Sequence, residues 1–276
     1  MNQWNSDYIH INKLKLHYTR TGNGHQPPLI LLHGVTDDGL CWTRLAQSLE
    51  ADYDVIMLDA RGHGHSDAPK RGYNAAHQAK DLAGLITKLN LQRPNILGHS
   101  MGAATALAFA GLYPEVPGSI LLEDPPPWWI KIKQSAEQTE RLKGSIAWME
   151  GLKRKTHTDM ISEQHAAMPH WPMDEIERWA DSKHRFSLNV TEVFKVRPDR
   201  DINWKSLIRK ITCPALLITG DNAYGALVDA ESAAALHALI PQLQVNNIPA
   251  AGHSIRHDQF EKYVKIVKDF LGKIRN

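Results

Sequence analysis

Short, unbroken apolar runs constrain this chain most. "PPLILLHG" (27–34), "DVIMLDA" (54–60), "NILG" (95–98), "GSILLED" (118–124), "CPALLITG" (213–220) and "LQVNNIP" (243–249) are each too short for a buried helix. A strand with one face in water alternates apolar and polar residues. A continuous run is expected of a strand covered on both faces. Helical patterns at 39–50, 75–90 and 101–113 separate the first four runs. Strand alternating with helix predicts an α/β fold, a mostly parallel sheet with helices on both faces. The start does alternate: Ile9, Ile11, Leu14, Leu16 and Tyr18 predict a hairpin with one buried face. At the end, "DQFEKYVKIVKDFLGKI" spaces Phe260, Val264, Val267, Phe270 and Leu271 as an amphipathic helix.

The alternation breaks after Asp124. "PPPWW" cannot extend a helix or a central strand. From there to about residue 201 the text is helical, polar and rich in tryptophan. The strand pattern resumes only at Cys213. This places a helical insertion at 126–205 in one α/β core made of 1–125 and 206–276. A chain of 276 residues is long enough for that arrangement.

Composition narrows the partners. Lys and Arg number 32 against 30 Asp and Glu, interspersed without a basic stripe or an acidic tail. Nucleic acid and anionic membranes are therefore not expected partners. Cys41 and Cys213 make no disulfide framework and read as core fillers of a protein in a reducing compartment, the cytoplasm. "MNQWNSDYIHINK" lacks an apolar signal core, and no apolar run approaches the roughly 20 residues of a membrane span.

The chemistry gathers at "NILGHSMGAATALAF" (95–109), where a strand runs into a helix. Gly98 and Gly102 flank Ser100 and permit a tight turn that pushes the serine into strained geometry, clear of the sheet. The following helix aims its free N–H groups and positive dipole end at the same point. This is the G-x-S-x-G nucleophile elbow in its proper context.

On "LLHGVTDD", "DARGHGHSD", "GHSMG" and "AGHS" the sequence resembles the α/β-hydrolase superfamily over nearly its whole length. Within it the chain looks like the capped single-domain bacterial serine hydrolases: esterases, lactonases, C–C hydrolases and N-formylmaleamate deformylases. The base predicted for Ser100 is His253, in "IPAAGHS" after the last strand, with small residues that let the loop reach in. His99 is expected to point away from the serine. In many relatives the orienting acid lies in a G-[DE]-x-D pattern after the strand represented by "ALLITG"; here Gly220-Asp221-Asn222-Ala223 has alanine at that place. The other placement in the superfamily follows the preceding strand, where "LLEDPPP" offers Glu123 and Asp124. Asp124, at the strand's end, is the predicted acid; Asp221 and Glu123 are the alternatives. Backbone N–H groups of Met101 and Val35 are the expected oxyanion hole.

Trp128 and Trp129 open the insertion and are read as pocket-lining residues or as cap-to-core packing. Asp37 and Asp38 are open between the surface and a polar pocket wall. No metal site and no cofactor are expected. The predicted function is cleavage of a carboxylic ester or lactone of a small molecule through an acyl-enzyme. Amide (formamide-type) or C–C hydrolysis by the same residues is the alternative, and a small-molecule receptor with a vestigial triad is the alternative from another class. The oligomeric state is left open.

Overall fold

The computed structural model describes residues 4–22, 24–130, 136–195 and 202–275. Eight strands form one sheet in the order β1-β2-β4-β3-β5-β6-β7-β8. They are β1 (Asn5–Ile11), β2 (Leu14–Arg20), β3 (Pro28–Leu32), β4 (Asp54–Leu58), β5 (Asn95–His99), β6 (Ser119–Glu123), β7 (Ala215–Thr219) and β8 (Leu243–Asn247). The β1–β2 hairpin pairs Ile9 with Leu16 and Ile11 with Leu14, and β2 meets β4 antiparallel. All other pairings are parallel.

The continuous apolar runs are explained by two cores. Within β3, Ile30 and Leu32 enter one cluster and Leu29 and Leu31 the other. On the first face lie α2 (Ala75–Lys88), α3 (Met101–Leu112), α8 (Trp204–Ile208) and α9 (Ala230–Leu239). On the second lie α1 (Thr43–Leu49) and α11 (Phe260–Arg275), reached through the short α10 (Ile255–Asp258). One expectation needs correcting: β8 is the sheet's last strand, and of its residues only Leu243 is buried. An edge strand has a neighbour on one side only, and here Gln244, Val245 and Asn247 are exposed while Asn246 is half-buried.

Between β6 and β7 the described residues form helices and no strand: α4 (Ala136–Leu152), α5 (His157–Ala167), α6 (Met173–Arg185) and α7 (Glu192–Lys195), then α8. Met149, Leu152, Met160, Ala180, Phe186 and Val190 make a small third core with Tyr73, and Val35 packs against it. At the insertion's two ends, Trp129, Ile202 and Trp204 belong to the main core instead. Residues 131–135 and 196–201 of the expected insertion lie outside the described residues. No described helix is long and apolar enough to cross a membrane.

Candidate active site

Ser100 sits between β5 and α3 with φ 51° and ψ −112°, a left-handed backbone that costs a non-glycine residue about 1–3 kcal/mol. The surroundings enforce it. A Cβ on Gly98 would lie 2.4 Å from the Gly102 carbonyl carbon, and one on Gly102 would lie 2.1 Å from the Leu32 carbonyl oxygen. The elbow is thus closed against itself and against the end of β3. Met101 is the first residue of α3, so its N–H has no partner within the helix.

Asp124 directly follows β6, at φ 42°. Its Oδ2 lies 2.6 Å from His253 Nδ1. The same fully buried carboxylate accepts N–H groups from Leu227 at 2.8 Å and Val228 at 2.9 Å. These bonds fix its plane and leave it aimed at the imidazole. Asp221 sits elsewhere: its Oδ2 accepts the Ala250 N–H at 2.8 Å, pinning the loop that leads to His253. Glu123, the last residue of β6, turns to the side on which α10 and α11 lie. There it accepts the Arg256 N–H at 3.0 Å, Arg256 Nη1 at 3.3 Å and the Tyr263 hydroxyl at 3.1 Å.

His99 does face away from the elbow's tip. Its Nε2 donates to the His253 carbonyl at 2.9 Å, and the two rings lie 4.7 Å apart. Burial holds the His99 pKa well below the usual histidine value. Thr36, Ser100, Asp124 and Ala250 are four of the eight left-handed non-glycine residues among those described. They lie on the four loops that carry or adjoin the candidate residues, and such outliers persist only where surrounding contacts over-determine them.

The two tryptophans separate. Trp129 is 1% exposed, packs in the main core and donates its indole N–H to the Ser232 carbonyl at 2.8 Å. A ring so enclosed offers no surface to a substrate, which corrects the expectation that it lines a pocket. Trp128 remains partly exposed, its ring 5.2 Å from that of Trp204. Asp37 and Asp38 are not surface residues: Asp38 is buried and the Asp37 side chain is 13% exposed. Lys183 Nζ donates to Asp37, and Arg185 Nε donates to Asp38 at 2.8 Å. Burial works to raise the Asp37 pKa, but the Lys183 and Arg256 charges overcome it and hold the carboxyl ionised. These basic partners were missed in the sequence, where both sit in a polar helical stretch that reads as a solvated face.

Residues 27–259 match the model of the α/β-hydrolase fold family, and the chain belongs to that family. It is a hydrolase, and its strained serine turn between a strand and a helix is the nucleophile elbow of that fold. It is 26% identical to 2-(acetamidomethylene)succinate hydrolase of Mesorhizobium japonicum, over 95% of this chain and 94% of that one. It is also 26% identical to N-formylmaleamate deformylase of Pseudomonas putida, over 95% of each chain. The crystal structure of E-2-(acetamidomethylene)succinate hydrolase superposes with a TM-score of 0.79 at 23% identity, covering 98% of this chain and all of that one.

Proposed function

We propose that this hydrolase cleaves a carboxylic ester or lactone through an acyl-enzyme, with Ser100 as nucleophile, His253 as base and Asp124 as the acid that orients it. The observation that carries the reading is the 2.6 Å contact between His253 Nδ1 and Asp124 Oδ2. With Nδ1–H committed to a carboxylate, Nε2 is the nitrogen left to take a proton. Ser100 Oγ attacks the carbonyl carbon and its proton passes to Nε2. The N–H groups of Met101 and Val35 hold the oxyanion. Collapse expels the alkoxide, which takes the proton back. Water then attacks the acyl-enzyme, giving its proton to Nε2, and Ser100 Oγ leaves with that proton as the free acid departs. Residues 126–205 act as a cap that excludes water and shapes the pocket, in which Trp128 is the aromatic candidate. The free thiols of Cys41 and Cys213 fit a cytoplasmic enzyme acting on a small molecule.

A second reading, amide hydrolysis, is favoured by the relatives: their names specify an acetamido compound and an N-formyl maleamate. The same residues would serve, with His253 protonating the amine before it leaves. The test is rapid mixing with a p-nitrophenyl ester and with an N-formyl amide. A burst of p-nitrophenol equal to the enzyme present, one fluorophosphonate label at Ser100, and loss of both in Ser100→Ala are expected. A folded Ser100→Ala that still turns over or takes the label would overturn the assignment. Binding without turnover would identify a receptor, and preference for the amide would select the second reading.

A further inference from the structure

The loop after β3 is gripped from outside by the end of one helix of the insertion, with Arg256 of the core 3.9 Å from Asp37 on its other side. Gly34 to Asp37 form a turn closed by the Asp37 N–H to the Gly34 carbonyl at 3.2 Å. Its third residue is Thr36 at φ 71°, a position that glycine takes by preference and a β-branched residue avoids. Lys183, 1% exposed in the last turns of α6, donates to the Thr36 carbonyl at 3.3 Å and to the Asp37 carboxylate. Two residues on, Arg185 pairs with Asp38, itself 2% exposed. The Val35 side chain packs against the insertion's own small core. Four successive loop residues, 35 to 38, are thus fixed by contacts from 149–190.

We infer that Lys183 and Arg185 are positioning residues, a two-cation clamp by which the docked insertion sets the aim of the Val35 N–H toward the oxyanion. The inference rests on the proposed role of Val35. Neither cation touches the reacting atoms. Their effect is to keep Thr36 in its left-handed conformation, because relaxing it would turn the peptides on either side. A second bridge between insertion and core provides the control. Glu175, in the first turn of α6, pairs with His257 and with Arg44 at 3.4 Å, far along the helix from the clamp.

The test compares Lys183→Met, Lys183→Arg, Arg185→Gln and Glu175→Gln with the parent, by steady-state kinetics on a p-nitrophenyl ester and by the rate of fluorophosphonate labelling. Loss of a whole oxyanion donor costs about 10²–10³ in kcat, so a misaimed one is expected to cost about tenfold or more. Lys183→Met and Arg185→Gln should show that loss in kcat and in labelling, with KM changed by less than about threefold. Lys183→Arg should recover most of it, and Glu175→Gln should keep the parent kcat. Unchanged kcat in both clamp variants, a loss confined to KM, or an equal loss in Glu175→Gln would overturn the clamp. If Lys183→Met does not fold, Arg185→Gln, at a partly exposed pair, decides alone. A parent enzyme that takes no label at Ser100 would instead bring down the underlying mechanism, which keeps the two failures apart.

Discussion

The Asp124 carboxylate meets His253 across 129 residues of chain, and it does so already anchored by the backbone. Two backbone N–H groups from residues 227 and 228 hold it from behind. Asp124→Asn would keep the volume but present an amide to Nδ1, favouring the wrong tautomer. Turnover should fall by up to about 10⁴ while the melting temperature changes far less. Asp221→Asn should lose no more than part of its bond to Ala250, on the order of 1 kcal/mol, with kcat near the parent's. Near-parental turnover in Asp124→Asn, measured on the same ester, would remove it from the mechanism.

The tryptophans should part company on substitution. Trp129→Ala empties a filled core site and removes the indole bond to the Ser232 carbonyl, so about 3–5 kcal/mol of stability should go, read by denaturant unfolding. Trp128→Ala should cost less stability and change the ranking of acyl chain lengths in kcat/KM. Equal losses on every ester would place Trp128 in packing alone.

Acid should destabilise the fold before it titrates most surface carboxylates. Burial, with His33 close by, lowers the His63 pKa to about 3. Its Nε2 and the Nδ1 of His99 are buried without a partner among the described residues, so neither ring has an acceptor for a second proton. Both pKa values lie below that of an unfolded histidine, near 6.5, so the unfolded chain binds more protons. The stability is whole above about pH 6.5 and declines as pH falls toward about 3, by at most roughly 1.4 kcal/mol per pH unit for each ring. Asp38, whose pKa burial raises, works in the other direction at the acid end. Melting temperatures between pH 7.5 and 4.5 should fall with a slope that His63→Gln flattens. An identical slope in that variant would show that His63 is not the group being protonated.

Gly102→Ala is expected to fail structurally. The new methyl would sit 2.1 Å from a backbone carbonyl oxygen, and neither α3 nor β3 can retreat without opening the elbow. Poor expression, or a large drop in melting temperature together with lost labelling of Ser100, should follow. A stable, fully active variant would show that the elbow yields more than packed interiors normally do.

Much of this was legible before any coordinates. Runs such as "LILL" and "VIML" specify strands buried on both faces, and Ser100 between Gly98 and Gly102 specifies its own turn. The pairing of Asp124 with His253 was readable too, because "LLED" places Asp124 just past the end of β6, where the chain can turn it toward the histidine. What stayed hidden depends on contacts between distant segments. Lys183 and Arg185 look like any charges on a polar helix until α6 is seen to lie on the loop after β3. Trp128 and Trp129 are adjacent and identical in type, and only the chain's path between α9 and α8 distinguishes them. β8 read as covered on both faces because its short sequence does not record that it lies at the end of the sheet, where only Leu243 is buried.

The insertion's separate core has a consequence for anyone rebuilding this protein. A different set of helices could be grafted between β6 and β7 without disturbing the sheet, since most of what Met149, Phe186 and Val190 touch would travel with the graft. Two acids would stay behind. Stripped of Lys183 and Arg185, Asp37 would be left with Arg256, 3.9 Å away, and the buried Asp38 would lose its ion-pair partner and have to take up a proton or drag water inward. A successful chimera has to import cations for those two acids or neutralise them, and to supply His257 and Arg44 with a substitute for Glu175, so the modularity of the fold ends at these buried charges.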